Sequence, residues 1–299
     1  MLNKTCIVIS GATAAGKTKL SLQLAAYFKT NIISADSRQC YRELNIGVAK
    51  PTASDLKKIK HYFINTHSIH EEVNAGRFET YALRAVTEIF EQHDTAIMVG
   101  GTGLYLKAFC RGMDDMPEVK DQIRQWVRQQ YETLGINWLQ EMLQQHDPVF
   151  YGKGEMRNPQ RMMRALEVKL SSGKSILDLH SMPQKKRKFS IVSIGVELPR
   201  KNIYHNINKR ADDMMEEGLL KEATALYPNR HLNALQTVGY TEIFDYIDGK
   251  HTLQQAVDTI KKNTRHYAKR QLTWFKKDET IHWFAPDDVK SIINFIEGQ

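Results

Sequence analysis

Cysteine is scarce in this sequence, and its placement argues against a disulfide framework or a zinc ribbon. The three cysteines, Cys6, Cys40 and Cys110, lie far apart and form no Cys-x-x-Cys pair. Apolar runs are short too, and none approaches the roughly 20 residues that a membrane helix requires. A glycine-rich segment that begins at Gly11 occupies the place of a secretory leader's apolar region. We therefore expect a protein of the reducing cytoplasm with no membrane partner.

Acidic residues are in deficit, and one segment lacks them entirely. The 299 residues include 42 lysines and arginines against 34 acidic residues, a formal net charge of +8. Residues 261–277, KKNTRHYAKRQLTWFKK, contain seven basic residues and no acid. Lys261, Arg265 and Lys269 recur every four residues, so a helix would place them on one face. This pattern favours a nucleic-acid partner, with a solvated basic face as the alternative.

Internal repeats and low-complexity tracts are absent, and the first third of the chain alternates strand and helix patterns. The apolar runs TCIVIS, NIISAD and DTAIMVGG indicate buried strands with helices between them. Such alternation predicts a parallel sheet with helices on both faces. We therefore expect an α/β fold with a P-loop NTPase-like parallel sheet flanked by helices.

Strand patterns are missing from the middle of the chain. Residues 118–146 have a helical pattern of apolar residues. Asn158, Pro159 and Gly173 have the positions expected of the N-cap, first residue and stop of a further helix. This part of the chain is therefore predicted to be an all-helical insertion in the α/β core.

Strand character returns in the run FSIVSIGVEL, and helices are predicted over residues 200–226 and 253–275. Trp274 and Phe275 are expected to be core residues of the last of these helices. The predicted domains are a core of residues 1–112 and 189–299 and a helical insertion of residues 113–188.

The segment GATAAGKT fits the phosphate-binding pattern G-x-x-x-x-G-K-T in full, between a predicted strand and a predicted helix. Its backbone N–H groups are expected to surround anionic oxygens, from Gly11, Ala12, Thr13, Ala14, Ala15 and Gly16. Lys17 adds a positive charge, and Thr18 offers a hydroxyl to Mg²⁺, the expected cofactor. The pattern predicts bound phosphates, as in ATP-binding proteins, but it does not select among a kinase, a nucleotide hydrolase and a transferase that releases pyrophosphate.

Polar residues follow the next two predicted strands. Asp36 ends NIISAD, at the sheet edge that faces the ligand in open α/β folds. It could accept a proton from a nucleophile, or it could only cap the following turn or hold Mg²⁺ through water. Thr102, in GGTGLY, follows the third strand in the same way, next to glycines that allow close approach of a ligand.

Six segments in chain order resemble the tRNA dimethylallyltransferase family: GATAAGKT, ADSRQCYRELNIGVAKPT, VGGTGLY, NPQRMMRALEV, VGYTEI and TRHYAKRQLTWF. The resemblance implies transfer of the dimethylallyl group from dimethylallyl diphosphate to N6 of an adenosine, with release of pyrophosphate. That adenosine lies 3′-adjacent to the anticodon in tRNAs reading codons that begin with U. It also implies a helical insertion domain that grips the anticodon stem-loop. No zinc finger is found in the sequence, which implies a bacterial-type member, expected to be a monomer.

The resemblance also assigns residues. It implies that Asp36 is the catalytic base, that Thr102 lies at the reaction centre, and that Arg210 joins the phosphate loop in binding the diphosphate. Contacts to tRNA are implied for Asp36, Ser37, Arg38, Gln39, Thr102, Arg124, Gln160, Arg161, Met162, Met163 and Arg164. Two positions depart from the family loop: Ala12 replaces its proline and Ala15 its serine.

Two other functions fit parts of the sequence. A P-loop small-molecule kinase would explain the phosphate loop, Asp36 and a helical lid, but not the net charge or the acid-free segment. A nucleic-acid-binding module with a vestigial loop would explain the charge, but it would have no turnover for Asp36 to support.

Overall fold

The computed structural model describes residues 4–114, 116–179 and 185–299, which divide into two compact units. The larger unit consists of Met1–Arg111 with Lys186–Gln299, and the smaller unit consists of Gly112–Lys185.

The larger unit is built on a six-stranded parallel sheet, so the predicted α/β fold is confirmed. Its strands are β1 Thr5–Gly11, β2 Ile32–Ser34, β3 His61–Tyr62, β4 Thr95–Val99, β5 Ser190–Val196 and β6 His282–Phe284, in the order β3-β2-β4-β1-β5-β6. β1 lies inside the sheet, where Thr5 pairs with Thr95 on one side and with Ser190 on the other. Its apolar run is buried because helices cover both faces of such a sheet.

Thirteen α-helices lie in the described ranges: α1 Lys17–Tyr27, α2 Ala53–Lys58, α3 Ala75–Gln92, α4 Gly103–Arg111, α5 Asp121–His146, α6 Pro148–Lys153, α7 Pro159–Ser172, α8 Ile176–Leu179, α9 Arg200–Glu217, α10 Leu219–Leu226, α11 Tyr240–Ile247, α12 Leu253–Phe275 and α13 Val289–Glu297. The predicted helix over 200–226 is broken at Gly218, whose φ of +104° is left-handed, so it forms two helices. The bounds of α12 match the prediction. None of the helices in these ranges is both long and apolar enough to cross a membrane.

Among the described residues of the smaller unit, the only regular secondary structure is helical, in α5 to α8. Its core includes Val127, Leu139 and Leu143 of α5 and Met162 and Leu166 of α7. Helix α7 begins as predicted, because Asn158 Oδ1 accepts a hydrogen bond from Arg161 N at 3.3 Å.

The first helix of this unit differs from the prediction. It begins at Asp121 rather than at residue 118, and Gly135 interrupts it with φ 76° and ψ −164°. A side chain would oppose this backbone conformation, so glycine allows the two segments of α5 to change direction here.

Candidate active site

The phosphate loop connects β1 to α1 and packs against the core of the larger unit. Gly11 and Gly16 have positive φ angles of 146° and 96°, and the loop ends where α1 begins at Lys17. Ala12 and Ala15, the two departures from the family loop, are fully buried in the hydrophobic core. Both methyl groups therefore pack beneath the loop.

Two cations stand at this loop. Lys17 Nζ donates a hydrogen bond to Ala12 O at 2.6 Å, and Arg210 Nη1 of α9 donates to Thr13 Oγ1 at 3.2 Å. Burial and then the Arg210 guanidinium lower the pKa of Lys17 to about 7, while the Asp36 carboxylate opposes them. Burial also lowers the pKa of Arg210, although a guanidinium remains charged at neutral pH. An anion that bound here would relieve the repulsion between the two cations.

Asp36 uses its two carboxylate oxygens differently. Oδ1 accepts hydrogen bonds from Arg38 N at 2.8 Å and Gln39 N at 3.3 Å, so the carboxylate does cap the turn after β2. Oδ2 has no hydrogen-bond partner among the described residues, and Asp36 lines a cavity. The capping role and the role of base are therefore compatible in one side chain.

Thr102 lies beside Asp36, as the sequence predicted from the shared edge of the sheet. Its hydroxyl accepts a hydrogen bond from Ser37 N at 3.1 Å, and its N–H donates to Ala35 O at 3.3 Å. Tyr267 of α12, which the sequence analysis did not assign to the site, lies near the Thr102 side chain and interacts with it. Burial and the nearby Asp36 raise the pKa of Tyr267 to about 12, so the phenol stays protonated at neutral pH.

A cavity of about 550 Å³ within the larger unit is lined by several of these groups. Asp36 and Tyr267 lie on its wall together with Thr13 and Arg210 of the phosphate-loop region. Apolar side chains also line the cavity: Ile207, Ala211, Met214, Val238 and Ile260. The cavity therefore combines the Arg210 guanidinium beside the phosphate loop, a carboxylate with a free oxygen and an apolar surface.

Gln39 has a structural role in the wall of this cavity. Its Nε2 donates to Val48 O at 3.3 Å and to Ala49 O at 3.1 Å, while its Oε1 accepts from Ser34 Oγ. The amide is therefore occupied in holding residues 48 and 49, which line the cavity. Arg38 also lines the cavity, and its Nη2 lies 3.5 Å from Gln236 O.

The smaller unit brings two of its predicted tRNA contacts together. Arg164 Nη1 lies 3.6 Å from Glu167 Oε2, and the Arg124 guanidinium acts on the same carboxylate. Burial raises the pKa of Glu167, and the two arginines oppose that effect. Both arginines therefore share one buried carboxylate, between α5 and α7.

The predicted contact segment of α7 has two faces. The side chains of Gln160 and Arg161 are exposed, whereas Met162 and Met163 are 0% and 8% exposed and belong to the core of the unit. The methionine side chains are therefore not available to a ligand in this structure.

The basic face of α12 differs in part from the prediction. Lys261 pairs with Asp212 at 2.6 Å, and Arg265 donates to Asn208 Oδ1 at 3.0 Å, so both act within the larger unit. The cations that form no ion pair among the described residues, and are exposed, include Lys269, Arg270 and Lys277.

Trp274 was predicted to lie in the core, and this is wrong. Its side chain is 43% exposed, whereas Phe275 is 3% exposed. Ala268, Gln271 and Phe275 form the buried stripe of α12 at helical spacing, which leaves Trp274 at the flank. The indole lies against Gly103 and beside a shallow pocket lined by Arg270 and Lys277. We call the exposed side chains of Lys269, Arg270, Trp274 and Lys277 the α12 surface.

The donor set fits Mg²⁺ only if the metal arrives with phosphate. No group of three or more His, Cys, Asp or Glu side chains in the described ranges could hold a metal ion. Thr18, at the start of α1, is exposed, and its hydroxyl has no hydrogen-bond partner in the same ranges. Mg²⁺ commonly takes few protein ligands and completes its shell with waters and substrate phosphates. One hydroxyl beside a phosphate loop is consistent with that mode.

Comparisons with known proteins agree with this geometry. The model of the IPP transferase family matches residues 39–278. The tRNA dimethylallyltransferase 1 of Bacteroides fragilis is 43% identical over 298 residues, which cover 100% of this chain and 99% of that protein. The tRNA dimethylallyltransferase of Flavobacterium johnsoniae is 47% identical, covering 98% of this chain and 97% of that protein.

Two solved structures are also similar. The tRNA isopentenylpyrophosphate transferase of Bacillus halodurans has a TM-score of 0.73 and 34% identity, covering 99% of this chain and 96% of that one. A eukaryotic dimethylallyltransferase acting on tRNA has a TM-score of 0.79 and 26% identity, and the match covers 96% of this chain and 75% of that one. A family match over most of the chain, with relatives above 40% identity along their full length, leaves one assignment: the chain belongs to the IPP transferase family.

Proposed function

We propose that the chain transfers a dimethylallyl group from dimethylallyl diphosphate to N6 of the adenosine 3′-adjacent to the anticodon, in tRNAs reading codons that begin with U. The observation that carries this proposal is the cavity shared by Asp36, Arg210 and Thr13 of the phosphate loop, with Lys17 close enough to feel the charges of both Asp36 and Arg210. Relatives along the whole chain bear the name tRNA dimethylallyltransferase. That name supports transfer over the small-molecule kinase and over a module without turnover.

The phosphate loop is the proposed site of the diphosphate. As the bond between the allylic carbon and the diphosphate oxygen breaks, negative charge grows on the departing pyrophosphate. Lys17 and Arg210 would stabilise that charge, together with loop N–H groups other than those of Thr13 and Ala15, which donate to Gln271 Oε1 and Ala12 O. Mg²⁺, held by Thr18 and the diphosphate oxygens, would add positive charge to the same leaving group.

Asp36 is the proposed base. The N6 nitrogen of adenine forms the new bond to the allylic carbon, and its proton moves to the free Oδ2 of Asp36. Thr102 and Tyr267 lie near the Asp36 carboxylate and would orient the amine. The apolar lining, with Met214 and Ile260, suits a five-carbon chain and keeps water from the allylic carbon.

An adenine stacked in an anticodon loop must leave its stack to reach such a cavity. We propose that the α12 surface and Ser37 and Arg38 contact the tRNA from the larger unit. In the smaller unit, Arg124, Gln160, Arg161 and Arg164 are the proposed contacts with the anticodon stem. We propose that the chain acts as a monomer, and its tRNA substrate implies a place in the cytoplasm.

The test is to incubate the protein with dimethylallyl diphosphate, Mg²⁺ and unmodified tRNA, and to analyse the nucleosides by mass spectrometry. We expect one adenosine at the predicted position to gain one C5H8 unit. The matched variant is Asp36→Asn, which keeps an oxygen for the turn but weakens the base; transfer should fall by about 10²–10⁴-fold, with both substrates still bound. Phosphate release from ATP without any nucleoside modification would contradict the proposal.

A further inference from the structure

Gln271 is a buried polar residue that the proposed chemistry does not use. It lies on α12 and is 6% exposed. Its Oε1 accepts a hydrogen bond from Thr13 N at 2.8 Å, and its Nε2 donates to Gly101 O at 2.8 Å. Both ends of the amide are therefore occupied by backbone groups of two different loops.

The two partners belong to opposite ends of the site. Thr13 lies in the phosphate loop, and its hydroxyl also accepts from Arg210. Gly101 directly precedes Thr102, whose hydroxyl accepts from Ser37 N next to Asp36. A continuous series of contacts thus runs from the diphosphate loop through Gln271 to the turn that carries the base.

Gly101 is shaped to receive this amide. A Cβ at residue 101 would overlap Gln271 Nε2. The backbone φ angle of Gly101 is not positive, so it lies outside the left-handed region that favours glycine. An alanine is therefore compatible with the backbone at this position but incompatible with the amide where it lies. This gives a second way to displace the Gln271 head group without changing Gln271.

We propose that Gln271 is a positioning residue that fixes the phosphate loop relative to the acceptor turn. The inference rests on the proposed function, because it assigns the spacing between the allylic carbon and the attacking nitrogen to this amide. A primary amide offers a donor and an acceptor at a fixed separation, and both are needed here. Bond formation depends steeply on such spacing, since a displacement of about 1 Å can cost on the order of 10² in rate.

The first experiment compares Gln271→Met with the wild type in single-turnover transfer at saturating donor and tRNA. Methionine preserves length and apolar contact but makes neither hydrogen bond. We expect the rate constant to fall about 10- to 100-fold, with the donor dissociation constant changed by less than about threefold. Thr259→Ala, which removes an exposed side-chain hydrogen bond elsewhere on α12, is the matched control and should keep the wild-type rate.

The second experiment uses Gln271→Glu, because the protonation state of Glu determines whether it can replace the amide. A protonated carboxyl group can donate to Gly101 O and accept from Thr13 N, whereas a carboxylate can only accept. The ratio of variant to wild-type rate should therefore rise as the pH falls. A role confined to filling space would not produce this pH profile.

The third experiment is a double-mutant cycle with Gly101→Ala. Each of Gln271→Ala and Gly101→Ala should lower the rate, and the double variant should be no slower than the slower single one, because both remove the same contact. Melting temperatures identify any variant that fails to fold.

If the wild type transfers the dimethylallyl group and both Gln271→Met and Gly101→Ala keep the wild-type rate, the role of Gln271 is overturned and the proposed function still stands. A pH-independent ratio for Gln271→Glu, or a loss found only in donor affinity, would also overturn it. Absence of transfer by the wild type would overturn the proposed function and this inference with it.

Discussion

Lys17 should take up a proton when the donor binds. In the free protein its pKa is lowered from 10.5 to about 7 by burial and by Arg210. This lowering of the pKa corresponds to a free-energy penalty of about 5 kcal/mol on the charged form of Lys17 in the folded protein. A bound diphosphate would place negative charge beside the Lys17 ammonium, which offsets both the effect of burial and the repulsion by Arg210. The pKa of Lys17 must therefore be higher in the complex than in the free protein.

The size of the effect follows from the free-state pKa. At pH 8 a group of pKa about 7 is roughly one-tenth charged, so binding should take up ~0.9 proton; at pH 6 it should take up ~0.1. The apparent dissociation constant of the donor should rise about tenfold per pH unit above pH 7, until the pKa of the complex is reached.

The assay is calorimetric titration with dimethylallyl diphosphate in two buffers of different ionisation enthalpy, at pH 6 and pH 8. The matched variant is Lys17→Arg, since a guanidinium remains charged at both pH values. Any proton exchange by the diphosphate itself is common to both proteins and cancels in the comparison. Equal proton uptake by the two proteins at pH 8 would refute the reasoning.

The donor-free protein provides an independent readout. Between pH 7 and 10.5 the unfolded chain holds a proton on Lys17 that the folded chain lacks. The free energy of unfolding should therefore rise with pH in this window, by up to about 1.4 kcal/mol per pH unit from this group. Lys17→Met should remove that contribution, which urea unfolding at pH 7 and pH 9 would measure. A wild type and variant with the same pH dependence would exclude a lowered pKa at Lys17.

Three further outcomes are expected. Gly47→Ala should slow transfer by at least about tenfold in single-turnover assays, because its Cβ would lie 2.6 Å from the buried Tyr240 ring and residue 47 lines the cavity; an unchanged rate would show that this loop adapts. Arg187→Met should lower the free energy of unfolding by about 3–5 kcal/mol, since the Arg187 and Glu79 side chains form a 2.7 Å ion pair at 9% and 11% exposure; urea unfolding measures this, and a loss below about 1 kcal/mol would contradict it. Trp274→Ala should weaken tRNA binding by about 1–3 kcal/mol and leave donor binding unchanged; equal binding in filter assays would remove the α12 surface from the interface.

Much of the fold was predictable because its signals are local. The buried run of β1, the phosphate loop and α1 follow one another directly, and Asn158 and Gly173 mark the ends of α7. The edge strands β3 and β6 contain only two and three residues, too few for a periodic pattern. Their existence depends on neighbours far away in the chain rather than on their own composition.

The candidate site was predictable only where a motif or a strand end marked it. Asp36 and Thr102 follow strands that lie side by side, so topology places them together. Tyr267 and Gln271 lie four residues apart on one face of α12, in a segment that the sequence analysis singled out for its charge and its family resemblance, neither of which gave these two residues a role. Nothing local indicates that residue 271 contacts residue 13, because that contact depends on the packing of α12 against β1.

The central place of β1 has a consequence for how the protein is made. β1 is the first strand to be synthesised, but it pairs with β5, which begins at residue 190. The phosphate loop that follows β1 forms its hydrogen bond to Gln271 only after residue 271 has been synthesised. At about 5–20 residues per second, the delay between synthesis of Thr13 and of Gln271 is on the order of tens of seconds. A nascent chain therefore carries the phosphate-binding motif long before residue 271 is available to contact its loop.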